Sequence, residues 1–360
     1  MIESIKIIEF FNYATELKAS DIHLYTGSFP MYRLHGKLYR AEEYGITTKD
    51  EVRQLIFNIT DDFLKARFFS ENLDDIDFSV DIPGAGRFRV NVFRCSAGDA
   101  LVFRVIPSRI PTMEELGLPP SVEEMIRTRH SGLVLVTGKA GHGKTTTISA
   151  MLEYINKEFP YNIIMIEDPI EFVFEPKRSH ISQRQVGEHA NSFEQAIKSS
   201  LREDPDVIVI GEIRDFATAS MTIQAAETGP LVISTLHTRS AVETIGRFVN
   251  FFPEDHRLNI RFLLADCMQG IISQTLVPKI DRTGRVLATE IMMGTTAIST
   301  LIREDKSQLM YSTIETGAKD GMQTLDFNLK NLMEANIIDP KDAFRYCNDK
   351  KRFLYYLDKM

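Results

Sequence analysis

At 360 residues, 43% hydrophobic and 26% charged, the chain is long and apolar enough for two domains with separate cores, which excludes a disordered or fibrous class. A net charge of -8 argues against broad nucleic-acid binding, although a local basic channel remains open, and no apolar run approaches a membrane span. The N-terminus carries acids early without a signal-peptide pattern, and Cys95, Cys267 and Cys347 lie far apart, so a cytoplasmic protein with reduced thiols, rather than a zinc or disulfide framework, is expected.

In chain order, residues 4–18 place Ile5, Ile8, Phe11 and Leu17 on a helical stripe that ends near Asp21. Residues 21–25 alternate as a strand does, and 30–39 have the turn and alternation of a hairpin. His23 and His35 stand beside apolar neighbours and are read as packed or surface residues rather than metal ligands. One or two amphipathic helices over 49–68 precede strands over 75–106, with turns at 83–86 and 97–99, so this first part is α+β. Four arginines thread the strands: Arg87, Arg89, Arg94 and Arg104. Solvation explains many surface arginines, but a planar guanidinium also meets oxyanions bidentately, and Arg94 and Arg104 are the favoured candidates for phosphate contact. Prolines at 107, 111, 119 and 120 mark a boundary, giving domains at 1–108 and 121–360 with a linker at 109–120.

A helix from 121 to about 128 leads to the most informative stretch, GKAGHGKT at 138–145. Before it, 133–137 is a short β-branched run, as in a strand buried on both faces; after it, Ile148, Met151, Leu152 and Ile155 are spaced helically. Strand, Gly-rich loop and helix in that order define a phosphate-binding loop. Gly138, Gly141 and Gly143 let the backbone fold tightly, so that the amides from Ala140 and His142 to Thr146 and the positive end of the helix dipole face phosphate oxygens. Lys144 adds a point charge near the β- and γ-phosphates, and the Thr145 hydroxyl is placed to ligate Mg²⁺. ATP and Mg²⁺ are the expected ligands.

Strands and helices then alternate, which implies a parallel sheet covered on both sides. A strand over 162–166 ends in Glu167-Asp168-Pro169-Ile170-Glu171, where ligands bind in open α/β sheets; Glu167 is a candidate to hold a metal-bound water, and a solvated acidic turn is the alternative. The strand 207–210 runs into Glu212, the first choice for holding Mg²⁺ or polarising the attacking water. A fourth strand, 231–235, ends near His237, an imidazole aimed at the same edge and suited to report a γ-phosphate.

These segments, with ASDIHL at 19–24, GRFRVNVFR at 86–94, IEDPIEF at 166–172, ISQTLVP at 272–278, AISTLIRE at 297–304 and TGAKDGMQTLD at 316–326, make the chain resemble the type II/type IV pilus secretion ATPases, and most closely the PilT-type pilus retraction ATPases. The resemblance implies an N-terminal PAS-like domain joined to a RecA-like ATPase domain, assembled as a homo-hexameric ring on the cytoplasmic face of the inner membrane. It implies a motor in which hydrolysis drives domain rotation and pilus retraction, with an inner-membrane platform protein and a paralogous pilus ATPase as partners and no nucleic acid. Extension or secretion ATPases, and a weakly hydrolysing accessory subunit, are the alternatives. The resemblance assigns catalysis to Glu212, an acidic-box role to Glu167, a γ-phosphate contact to His237 and phosphate contacts to N-domain arginines. Pro230 departs from the family, which usually has a histidine there, so one of the two histidine-box imidazoles is expected to be lost, and with it the inter-subunit or phosphate-sensing contact that the resemblance implies.

Overall fold

The structure, a computed structural model, describes residues 5–34, 36–70, 74–107 and 109–357; His35 lies outside the described residues. The chain divides into two compact units, the first made of Met1–Arg109 with Asp168–Val173 and the second of Ile110–Glu167 with Phe174–Met360.

The first unit is built on an antiparallel sheet: β1 (Asp21–Tyr25), β2 (Met31–Leu34), β3 (Lys37–Arg40), β4 (Asp75–Ile82), β5 (Gly86–Cys95) and β6 (Gly98–Ile106), in spatial order β3-β2-β1-β6-β5-β4. Alternation sorts its faces: Phe88, Val90 and Val92 of β5 are buried, while Arg87, Arg89 and Asn91 point the other way. On the apolar face lies the helix Ile5–Glu16, whose Ile7, Phe10, Phe11 and Ala14 recur at helical spacing; the Phe11 ring meets Phe88 and Phe103 edge-on at 5.3 and 4.7 Å. The helix Lys49–Ile59 starts at a capping box, Thr48 with Glu51, and adds Val52, Leu55 and Ile56 to the same core.

The second unit contains a seven-stranded sheet: β7 (Gly132–Thr137), β8 (Asn162–Glu167), β9 (His180–Gln185), β10 (Val207–Ile210), β11 (Leu231–Leu236), β12 (Met268–Pro278) and β13 (Arg285–Met293), in spatial order β13-β12-β7-β11-β10-β8-β9. All its pairings are parallel except β12 with β13. The central strands are mostly apolar and buried on both faces because the crossover helices cover both sides. With β10 and β11 inserted between β7 and β8, the carboxyl ends of four strands face one edge, and the chain leaves β7 and its neighbour β12 in opposite directions along the sheet. Three strands escaped the sequence reading. β9 is a half-exposed polar edge strand, HISQRQ, without an apolar run, and the polar Ser273-Gln274-Thr275 interrupts the apolar pattern of β12. Among the described residues no helix is long and apolar enough to cross a membrane.

Candidate phosphate-binding site

β7 delivers the loop 138–143 to the sheet edge, and the helix Lys144–Glu158 begins at once behind it. Its N-cap is Gly143 in the left-handed region, with no side chain bonded to the first-turn N–H groups, so these donors face the loop rather than a cap. Gly141 is also left-handed, at φ 74°. Gly138 is fixed by packing: at φ 149° a Cβ there would lie 2.5 Å from the Gln274 carbonyl oxygen of β12. Replacing Gly138 with alanine is therefore expected to lower stability by about 2–4 kcal/mol, read as a fall in the urea midpoint, and to displace the loop.

The loop is pinned to β12 from the other side by His142. Its Nδ1 accepts from the Leu276 N–H at 3.3 Å and lies 2.9 Å from the Thr275 hydroxyl, while Gln274 Nε2 donates to the His142 carbonyl at 2.7 Å. Burial, followed by the cations Lys139, Arg285 and Lys144, holds the His142 pKa below the usual histidine value, which suits a neutral ring accepting at Nδ1. The His142 ring is thus turned to β12, and its N–H donates to the Lys139 carbonyl within the loop at 3.3 Å.

Lys144 is 9% exposed and donates to the carbonyls of Gly138 at 2.9 Å and Lys139 at 3.4 Å. Burial lowers its pKa, and the Glu212 charge partly offsets that effect. Its Nζ is also 3.4 Å from His237 Nδ1, and His237 Nε2 is 3.1 Å from Glu212 Oε2. An ammonium only donates, so Nδ1 is the accepting nitrogen and the ring proton sits on Nε2, donated to Glu212. Arg214 closes this line with an ion pair to the other Glu212 oxygen. Burial pushes the Glu212 carboxyl up, but Arg214 and His237 outweigh it and hold its pKa below the usual carboxylate range. Thus Lys144, His237 and Glu212, far apart in sequence, form one connected line at the sheet edge. Thr145 and Thr146 occupy the first turn of the loop helix, half-buried. Gly211 and Ile213 fix the Glu212 segment, with Gly211 N–H donating to Ile166 O at 2.8 Å and Ile213 N–H to Thr235 O at 3.0 Å.

Glu167 is the last residue of β8, 7% exposed, and accepts from Gln183 Nε2 of β9 at 2.9 Å. The next residues, Asp168–Val173, belong to the first unit. There the Glu171 carboxylate pairs with Arg89 at 3.2 Å, Arg89 also pairs with Asp77, and Arg87 donates to the Glu171 carbonyl at 3.0 Å. The two favoured arginines are not brought together. Arg104 stands opposite Arg89 across the β5–β6 pair and bonds to Asp21 at 3.1 Å, whereas Arg94 shares the face of Val90 and Val92 and donates to the Phe68 carbonyl at 2.7 Å. They occupy opposite faces of the sheet, so no single anion is reached by both from one face.

Pro230 lies away from the loop, which leaves only the inter-subunit half of the expectation. The Gly132 N–H donates to its carbonyl at 3.2 Å, and the register pairs Leu231 with Gly132 and Leu236 with Thr137. Residue 230 therefore sits at the amino end of the sheet, roughly 20 Å from the loop edge, and no side chain there senses phosphate within the same subunit. Residues missed from sequence are Arg214, Gln183, Gln274 and Thr275, whose roles depend on register. Only the cation two places after Glu212 left a local signal.

A buried-lysine loop at the switch point, with a strand inserted before the one bearing the acid, defines a P-loop nucleotide hydrolase. The chain belongs to the family described as type II/IV secretion system protein, which it matches over residues 3–335. It is 46% identical to the type IV pilus retraction ATPase PilT of Pseudomonas aeruginosa, over 94% of this chain and 96% of that protein. It is 42% identical to a twitching motility protein of Neisseria gonorrhoeae, over 88% of this chain and 83% of that one. A crystal structure of the pilus retraction motor PilT with bound ADP superposes with a TM-score of 0.89 at 43% identity, covering 99% of this chain and all of that one.

Proposed function

We propose that this protein is an ATP-hydrolysing motor of type IV pilus retraction, working as a homo-hexamer at the cytoplasmic face of the membrane against an inner-membrane platform protein. The observation that carries this reading is the line from Lys144 through His237 to Glu212, a phosphate-binding cation and an ionised carboxylate joined by a single imidazole. The likeness to PilT over nearly the whole chain supports retraction over extension.

The loop glycines, the uncapped helix start and buried Lys144 fit a nucleotide polyphosphate. The amides from Ala140 to Thr146 and the Lys144 ammonium bind its phosphates. Thr145 and Glu212 would hold Mg²⁺, which when bound neutralises charge on the phosphates. Glu212 orients the attacking water and takes up its proton, and Arg214 keeps that carboxylate ionised until it does so. His237, bridging Lys144 and Glu212, ties the occupancy of the loop to the position of the base. Glu167 is a support for this edge through Gln183. Of the two N-terminal arginines, Arg104 is the better candidate for a phosphate, since its side chain is 68% exposed while Arg94 is engaged by Phe68. A paralogous ATPase is a fitting partner in the ring's work.

The test is steady-state ATP hydrolysis by the purified full chain, with oligomeric mass measured in the same samples. Hexamers with Mg²⁺-dependent turnover are expected. A nucleotide-binding chain that does not turn over points to the accessory role, and a chain that binds no nucleotide overturns the reading.

A further inference from the structure

The loop that carries His237 runs directly into the helix Ala241–Val249, and much of its hydrogen bonding is local. Ser240 accepts from the Glu243 N–H at 3.1 Å, the Arg239 N–H donates to Glu243 Oε2 at 2.9 Å, and the Thr238 and Thr244 hydroxyls are 2.7 Å apart. The first helical N–H is different: Ala241 donates at 2.7 Å to Glu290 Oε1, a side chain from β13, 49 residues away. Glu290 is 1% exposed. It also stands in a cross-strand row with Ser273 and Thr137, whose hydroxyls are 2.8 Å apart, and Thr137 is the residue before the phosphate loop.

We propose that Glu290 is a positioning residue for the reaction: by holding the Ala241 N–H it fixes the turn after β11, so that His237 stays between Lys144 and Glu212. This rests on the ATPase reading above. Glu290 Oε2 has no hydrogen-bond partner among the described residues, and the Leu325 N–H, at the start of the helix Leu325–Glu334, is a further backbone donor toward the carboxyl. Burial pushes the carboxyl up to about 7, against the pull of the Ala241 and Leu325 N–H groups and with a further push from Asp326. Asp326 is itself buried and accepts from the Asn348 and Asp349 N–H groups, and Tyr311 of the helix Ser307–Thr316 is the other titratable neighbour. Glu243, on the helix that Glu290 holds, is turned to Arg239.

The sign of the pH effect follows. A carboxyl whose folded pKa is raised contributes stability that is complete below its unfolded pKa, about 4.3, and is lost as pH rises through about 7. Glu290→Gln preserves an uncharged acceptor, so its urea midpoint is expected to fall less between pH 6 and pH 8 than that of the parent.

The decisive experiment is a cycle of Glu290→Ala and His237→Ala in the full chain, read by kcat and by the imidazole resonance of His237. Glu290→Ala is expected to lower kcat about tenfold in the parent and less than about twofold when His237 is already alanine, with Glu290→Gln restoring most of the loss at pH 6. Equal losses in both backgrounds overturn the proposal. The resonance separates the two readings: if the chain hydrolyses no ATP, a His237 signal moved by Glu290→Ala and returned by Glu290→Gln still supports positioning, and an unmoved signal refutes it. Should Glu290→Ala not fold, Ala241→Pro, which removes the donated N–H at the first helical position, takes its place: the resonance is expected to move, and an unmoved signal refutes the proposal.

Discussion

Replacing Lys144 with alanine is expected to reduce ATP turnover by about 10³-fold and to weaken nucleotide binding, the largest effect of any single change in this site. Three separate roles end together. The point charge beside the phosphates is lost where burial makes it most effective, since Lys144 is only 9% exposed. The carbonyls of Gly138 and Lys139 lose the donor that draws the two ends of the loop together. His237 loses the partner that keeps its Nδ1 an acceptor, so the ring is no longer set to donate to Glu212. Binding of a fluorescent nucleotide and single-turnover hydrolysis separate these roles. A variant that retains turnover within tenfold of the parent contradicts the assignment of this loop.

Glu212→Gln is expected to behave differently: turnover falls about 10²–10³-fold while nucleotide affinity changes by only a few-fold. Glutamine keeps an acceptor for His237 and fits the same space, but it carries no charge and takes no proton. Arg214 then faces a neutral partner, and Lys144 loses the charge that offsets its burial. Because Arg214 and His237 hold the Glu212 carboxyl below the usual range, acidification of the parent from pH 7 to pH 5.5 leaves this group ionised. A loss of turnover in that window therefore arises elsewhere. If Glu212→Gln hydrolyses ATP at the parent rate, Glu212 is not the base.

The parts of this site that were legible in the sequence are those with a local signature. The phosphate loop combines glycine spacing with a buried strand and a helix, all within some 25 residues. Glu212 and His237 could be found because each comes within two residues of the end of a buried, mostly apolar strand, so the polar residue marks the sheet's carboxyl edge. What stayed hidden depends on pairing across the sheet. The opposite faces of Arg94 and Arg104 follow from which residues of β5 and β6 stand opposite, and an alternating run of arginines does not encode that register. The place of Pro230 was hidden for a related reason, since a motif written in one line does not show that its two ends lie at opposite edges of the sheet. Glu290 was invisible because a single acid in an apolar strand looks like any break in the pattern until β13 is placed beside β12.

The membership of Asp168–Val173 in the first unit has a consequence for how the chain is made. A ribosome releases the six strands of that unit well before residue 168 emerges. Until then Arg89 has Asp77 but not Glu171, and Arg87 lacks the carbonyls of Ile170 and Glu171. The first unit is thus finished only after the phosphate loop and β8 have been synthesised. The order of translation interleaves the two units, and the amino-terminal unit reaches its complete set of bonds only on a nascent chain that already contains the loop.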